Sequence, residues 1–425
     1  MKWEERNFYM SNYSSRNPHL KYDQFPIYGS DKAIQNLQPT YNMGNVIEPS
    51  RDELALMQRS PYILHAKNGI LTKIPAQKTL LPHDPKGGEQ QIHATISPDK
   101  TIYFSHGNII SKSTDNGKTW STHESGLKVS PNTSFQVMKD GSFVGVNSNK
   151  APSPSILVLI SRDEGRIWEK LSEVDNPSHA PVRYPDTLCR LSDDTLLLPI
   201  ESRFEWFADP NYVHKSTDGG KTWSGPTGPY AESAFKDTHW VGPNTGDGFL
   251  GGYCYESMIT PMTSDKLLAV IRYHGPVIQE WPLIAPGQSP IYKTVFLADS
   301  FNQGKTWHNL RPLTNVHGQC HGFGVSLNDG SVIVTFDHRY IPGTPANKAM
   351  ISKDEGATWE NEVYYISFAT VPNGQTGFSE SVVLEDQTIL TIAATTNVPR
   401  DKFLKASVSG TVGQTDVWAI RWNLE

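Results

Sequence analysis

Short apolar runs separated by turns set the rhythm of this chain. Residues 195–200, 267–271 and 332–336 are brief apolar stretches closed off by Asp-Gly-like turns. Residues 379–384, 388–395 and 417–424 continue that rhythm toward the end. Runs this short, with no long 3.6-residue period around them, predict β-strands. The 33 glycines and 30 prolines suit the many turns that such strands need. Residues before about 58 show no period and are rich in Asn, Tyr, Ser and Pro. They are expected to form an arm, residues 1–57, wrapping a strand-built body of residues 58–425.

An octapeptide recurs between the strands. It reads Ser113-Thr114-Asp115-Asn116-Gly117-Lys118-Thr119-Trp120, and it returns ending at Trp168, Trp223 and Trp359. A further copy ending at Trp307 has Asn302 in place of Asp. Ser and Asp side chains can bond nearby amides and hold a tight turn, and the Gly supplies a positive φ. The Trp is expected to pack between neighbouring sheets. The five tryptophans are 48, 55, 84 and 52 residues apart. A four-stranded propeller blade takes roughly 40–50 residues. Five blades carry the repeat, the interval before Trp307 carries an insertion, and the strands after Trp359 add a sixth. A strand from residues 62–74 is expected to complete that last blade and close the ring. The fold class is therefore all-β, a six-bladed β-propeller.

The inner strand of a blade starts at the axial funnel and the second strand ends there. Those two places give a polar set: His93 and His106; Arg183, Asp186, Glu201 and Arg203; Glu256, Arg272 and Tyr273; His321, Asp337, His338 and Arg339; and Glu380. So many acids, histidines and arginines at one mouth point to a polar ligand. Trp206, Trp240 and Trp281 fall in loops around the funnel, where flat rings suit stacking on a sugar. His317 and His321 are four apart, a spacing that brings both to one metal only in a loop, and no metal is expected.

The octapeptide S-x-D-x-G-x-T-W is the Asp-box, and residues 88–424 resemble the sialidase superfamily. Glu256 followed sixteen residues later by Arg272 looks like the sialidase pair of a pocket glutamate and a carboxylate-binding arginine. The segment from Gly377-Phe378-Ser379-Glu380 resembles the motif carrying the sialidase nucleophile, with Phe378 at the tyrosine position. Gln91 stands where the first substrate-gripping arginine is expected, and Lys348 where the third is. The loop of the acid/base Asp is cut to Ser105-His106-Gly107-Asn108. The resemblance implies a divergent sialidase-type propeller without ordinary sialidase activity.

Glycoside cleavage by acid–base chemistry needs two carboxyl groups with different pKa values. Glu256 with Asp337 or Glu201 are the expected pair, with His321 beside them. The expected function is exo-acting hydrolysis of a terminal sugar. β-Elimination from a uronate, with a His or Tyr base, and sugar binding without chemistry are the alternatives. No cofactor is expected.

Other features narrow the classes further. A net charge of −6 offers no basic face for nucleic acid. No stretch reaches the ~18 apolar residues of a membrane helix. Three cysteines do not make a disulfide framework. The start of the chain lacks the apolar core of a secretory signal. A cytoplasmic location is expected, or a secreted one if the numbering begins after a removed signal. Oligomeric state is left open.

Overall fold

The computed structural model describes residues 47–82, 92–127, 134–148, 155–175, 182–204, 207–229, 253–277, 291–314, 318–338, 346–368, 378–397 and 414–425. Nearly everything among them is β, in a propeller-like arrangement of small antiparallel sheets. A helix, α1 (Arg51–Gln58), precedes the strands. Ser50 caps it, accepting from the Glu53 amide at 3.2 Å while Glu53 accepts from the Ser50 amide at 2.8 Å. This reciprocal capping box and the burial of Leu54 and Met57 fix a helix within the segment expected to be an arm without period.

Strands β1 (Tyr62–Lys67) and β2 (Ile70–Leu81) form a hairpin. Four sheets follow the chain. The first holds β3 (Ile92–Ile96), β4 (Ile102–His106), β5 (Ile109–Ser113) and β6 (Ser121–Glu124). The second holds β7 (Ser134–Val137), β8 (Phe143–Ser148), β9 (Ser155–Ser161) and β10 (Glu169–Asp175). The third pairs β11 (Val182–Pro185) and β12 (Cys189–Arg190) with β13 (Leu196–Phe204), then adds β14 (Phe207–Ser216) and β15 (Ser224–Pro229). The fourth holds β16 (Tyr253–Pro261), β17 (Leu267–Val277), β18 (Ile291–Ser300) and β19 (His308–Pro312).

The remaining strands are β20 (Gln319–Ser326), β21 (Val332–His338), β22 (Ala346–Ser352), β23 (Glu362–Phe368), β24 (Ser379–Val383), β25 (Ile389–Asn397) and β26 (Gln414–Trp422). With the hairpin they make one nine-stranded sheet in the order β20-β21-β22-β23-β1-β2-β26-β25-β24. The strand expected to close the last sheet is shifted along the chain. Residues 76–81 of β2 pair with β26, whereas β1 pairs with β23. The cause is the turn at Asn68 and Gly69, φ 51° and 74°, which reverses the chain between them.

Side-chain hydrogen bonds link neighbouring sheets in succession, all but one of them from an innermost strand. His93 on β3 contacts the Phe135 carbonyl at 2.6 Å, and Ser134 on β7 donates to the Asp186 carbonyl at 3.3 Å. Ser257 on β16 donates to the Asp186 carboxylate at 2.7 Å, and Thr260 donates to the Gly324 carbonyl on β20 at 3.0 Å. Thr335 donates to the Ser379 carbonyl at 3.4 Å, and the Ala94 amide donates to Glu380 at 2.7 Å. The last bond, from β3 to β24, returns the succession to its start.

The five octapeptides join β5 to β6, β9 to β10, β14 to β15, β18 to β19 and β22 to β23. In each, the Gly amide donates to the first Ser hydroxyl, as from Gly117 to Ser113 at 2.9 Å. The amide at the seventh position donates to the Asp, or to Asn302 in the divergent copy, at 2.8–2.9 Å. The glycines have φ between 76° and 86°, which a β-carbon would strain. Trp307 is buried among Leu197 and Val213 of the third sheet and Leu267 and Phe296 of the fourth. The octapeptides are therefore clamps between sheets.

Asp218 accepts from the Lys221 and Thr222 amides and the Thr222 hydroxyl. Burial opposes its charge, but these donors bring its pKa down to about 2. Its stabilising contribution is thus present above the ordinary Asp value and lost as pH falls toward about 2. Asp218→Ala should lower stability by roughly 1–2 kcal/mol at pH 7. Chemical denaturation should show the gap to wild type narrowing below pH 4.

Candidate active site

The polar cluster lies where the fourth and nine-stranded sheets meet. Glu256 leaves β16 at a bulge: Cys254 pairs with Tyr273 and Ser257 with Ile271, so two residues face one. His321 leaves β20 at the same kind of bulge, between Cys320 paired with Asp337 and Phe323 paired with Thr335. Bulges re-aim side chains. His321 also has φ 43°, in the left-handed region that a residue with a β-carbon rarely adopts.

Arg272 on β17 donates to Glu256 Oε2 at 2.5 Å, with its Nη1 2.7 Å from His321 Nε2. His321 Nε2 is also in direct contact with Glu256 Oε2. The other ring nitrogen, Nδ1, meets Asp337 Oδ1 at 3.1 Å. Phe378 stands edge-on to the His321 ring, centroids 3.7 Å apart. Exposure ranks the members: the Glu256 side chain is 24 % exposed, Arg272 8 %, His321 6 % and Asp337 0 %. Of these two carboxylates, Glu256 alone can touch a ligand.

Electrostatics follow from the contacts. Burial works against the Glu256 charge, but Arg272 and His321 outweigh it and hold the carboxyl well below the usual range. Burial likewise opposes the Arg272 charge, and Glu256 outweighs it.

Close approach of the sheets makes these contacts possible. A β-carbon on Gly322 would lie 2.3 Å from Val270 Cγ1 and 3.0 Å from Val295 Cγ1. Only glycine lets β20 come near enough to β17 for His321 to reach Arg272.

The other sequence-derived residues fall in several places. Glu380 accepts from the Ala94 amide and meets His93 Nδ1 at 3.1 Å. Burial pushes His93 toward neutrality, and Glu380 reverses this, raising its pKa. Asp186 is buried and holds Ser257, the neighbour of Glu256. Asp337, expected as a partner carboxyl for Glu256, is instead enclosed and faces His321. Tyr273 packs on Phe296, centroids 4.3 Å apart, within the apolar layer between sheets. Its strand position alternates with that of Arg272, which sends the ring to the opposite face.

His106 and His338 are buried at strand ends on β4 and β21. Arg183 lies on β11, and Glu201 and Arg203 on β13; their side chains are outside the described residues. Gln91, Trp206, Trp240, Trp281, His317 and Arg339 also lie outside them. Lys348 is no part of the cluster: it is buried, pairs with Glu48 at 2.7 Å, and sits over the Tyr365 ring. Cys189 and Cys320 are buried thiols not joined in a disulfide, and no group of metal-ligating residues forms among the described residues.

Sequence reasoning missed the equivalence of two segments. Cys254 precedes the bulge Tyr255-Glu256 and pairs with Tyr273, as Cys320 precedes the bulge His321-Gly322 and pairs with Asp337, so His321 takes the place of Tyr255 and Asp337 that of Tyr273. The repeated cysteine before the bulge was the available signal.

No family model and no curated protein matches the chain. Solved structures do. A protein of unknown function from Dyadobacter fermentans is 15% identical, with TM-score 0.54, over 82% of this chain and 99% of that one. The NanB sialidase of Streptococcus pneumoniae, as its K499G mutant, is 10% identical, with TM-score 0.53, over 88% and 72%. The GH93 α-L-arabinofuranosidase of Fusarium graminearum, solved with arabinobiose, is 16% identical, with TM-score 0.50, over 78% and 92%. At these identities the likeness shows a shared fold.

Two substitutions test the geometry. Gly322→Ala should destabilise the protein by about 1–3 kcal/mol, the range for overpacking, in thermal unfolding. Glu256→Gln should be less stable than wild type at neutral pH, because the buried Arg272 loses the carboxylate charge that faces it. Since the Glu256 pKa is lowered on folding, that gap should persist to pH values below the ordinary Glu range and then close. A gap already closed at pH 5 would contradict the ion pair.

Proposed function

We propose that this chain is an exo-acting glycoside hydrolase that removes a terminal sugar and is not an ordinary sialidase. The observation that carries the reading is Glu256, a partly exposed carboxylate held by buried Arg272 and His321 at the ends of inner strands. The shared fold with a sialidase and an arabinofuranosidase supports the reaction class. We read the nine-stranded sheet as two blades, β20 to β23 and β24-β25-β26-β2, joined through β1, which gives six blades in all. The cyclic succession of hydrogen bonds around the sheets supports that count, and residues 1–46 of the expected arm lie outside the described residues.

In this reading Glu256 is one acid–base carboxyl. Because Asp337 is enclosed, Glu201 is the second, on β13 at the same strand end as Arg272 on β17. Glu380 and Asp186 shape the walls. Arg272 is engaged by Glu256, Lys348 by Glu48, and Phe378 has no oxygen for attack, so sialosides are poor substrates.

A second reading has one observation in its favour. His321 lies beside Arg272, as β-elimination from a uronate would need a base beside a cation.

A panel of aryl glycosides and oligosaccharides, with an aryl sialoside included, separates the readings. Hydrolysis should release a reducing terminal sugar from at least one non-sialoside, and Glu256→Gln should cut that rate at least ~100-fold with folding retained. Ultraviolet absorbance from an unsaturated product would instead establish elimination, and binding with neither product would leave a lectin-like site. Robust sialoside turnover would overturn the proposal.

A further inference from the structure

We propose that His93, as an imidazolium, is a proton-operated latch joining the inner edges of three sheets, and that loss of its proton loosens the seam between the first sheet and the nine-stranded one. No step of the latch involves Glu256 or a sugar. Strands β3, β7 and β24 are each the terminal strand of their sheet among the described residues. An edge strand presents backbone groups that take their partners from elsewhere. The Ala94 amide of β3 donates to Glu380 Oε2 of β24 at 2.7 Å. The Phe135 carbonyl of β7 meets His93 Nε2 at 2.6 Å. His93 Nδ1 lies 3.1 Å from the same Glu380 Oε2. One carboxylate oxygen and one ring thus bridge β24 to β3 and β3 to β7.

Atom types fix the protonation. A carbonyl oxygen only accepts, so Nε2 carries a hydrogen. Nδ1 then holds either a second hydrogen or a lone pair beside Glu380. The Ala94 N–H favours the ionised form of that carboxyl. A lone pair beside an anionic oxygen repels it, and both side chains are buried. The arrangement therefore puts a hydrogen on Nδ1, and an imidazolium faces a carboxylate. The Nδ1 contact lacks hydrogen-bond alignment, so charge is what holds it.

Few other charges face the ring. Strands β4, β7, β24 and β25 pack against β3. Strands β7 and β25 carry no titratable side chain, and β24 carries Glu380 alone. On β4, the Tyr103 hydroxyl meets Glu164 at 3.3 Å. His106 sits opposite Ile92, which places it on the other face of the sheet from His93. Phe135 stands edge-on to the His93 ring, centroids 5.2 Å apart.

Release follows from the same contacts. The Nδ1–H bond breaks, its electron pair stays on the nitrogen, and water takes the proton. The ring keeps its Nε2–H on the Phe135 carbonyl, but Nδ1 now sets a lone pair beside an anionic oxygen. Glu380 moves off, and the Ala94 amide loses its acceptor. That is the bond from β3 to β24 that returns the succession of sheets to its start. Burial opposes the charge on His93, and Glu380 and the Phe135 carbonyl outweigh it, so folding raises its pKa. The latch is therefore fully closed below the ordinary His value and opens as pH rises through the folded value.

The test combines ¹⁵N-histidine NMR with amide hydrogen exchange on the full protein, from about pH 5 to about pH 9, with Glu380→Gln beside wild type. His93 should carry hydrogens on both ring nitrogens at about pH 6 and lose one at a midpoint above ~6.5, the ordinary value. Protection of the Ala94 amide, corrected for the chemical pH dependence of exchange, should fall through that midpoint. The fall should be about tenfold for each pH unit by which the midpoint exceeds the ordinary value. Protection of the Gly117 amide, held by Ser113 in an octapeptide, should stay level. Glu380→Gln should bring the midpoint to the ordinary value or below it. A ring with one hydrogen at about pH 6, a midpoint no higher than ~6.5, or one unmoved by Glu380→Gln overturns the proposal. So does Ala94 protection that stays level across the midpoint, or that falls no more than Gly117. The wild-type measurements decide alone if Glu380→Gln fails to fold.

Discussion

Gly322 presents no side chain to Val270 and Val295, and β20 therefore lies against β17 at a distance that any β-carbon would forbid. His321, the preceding residue, is delivered by that contact to Arg272 and Glu256 of the fourth sheet. Asp337 comes with it from the next strand. The cluster is thus a product of two sheets meeting. Neither sheet contains it alone, and a small change in sheet spacing would separate the guanidinium from the imidazole.

The octapeptides and the buried polar cluster occupy opposite ends of the strands. Ser300, which opens an octapeptide, pairs opposite Leu267 at the start of β17, whereas Arg272 lies about 17 Å along at ~3.3 Å per residue. The octapeptides clamp the sheets at one end, with glycine φ values and Ser and Asp bonds that repeat from copy to copy. The bulges at Glu256 and His321 disrupt the ladder at the other end. Regular ends hold the ring together, which allows the irregular ends to carry strained, buried charge.

Repeated features were the legible part of the sequence. The octapeptide spacing gave the sheet succession, and strand-end positions brought Glu256, Arg272, His321 and Asp337 to one place. Within hydrogen-bond reach of each other, Glu256 and Arg272 stand as their sixteen-residue separation implied. Depth was not legible. Asp337 and Glu256 look alike in sequence, yet one is enclosed and the other is partly exposed, because exposure depends on what the neighbouring sheet covers. Lys348 shows the same gap: the resemblance put it at the place of a substrate-gripping arginine, and the burial of its amine against Glu48 comes from a segment hundreds of residues away. Helix α1 was hidden by brevity, since eight residues give two turns and little period.

The central claim is that ligand chemistry happens at the meeting of β16 and β20, with Glu256 as the group that touches it. A crystal structure of the protein soaked with a mixture of neutral and acidic monosaccharides addresses this directly. Sugar density should lie at the funnel ends of those strands, with a ring hydroxyl or anomeric oxygen within hydrogen-bond distance of Glu256 and Arg272 still bound to it. Density confined to the octapeptide ends, or Glu256 turned away into the gap between sheets, would contradict the account.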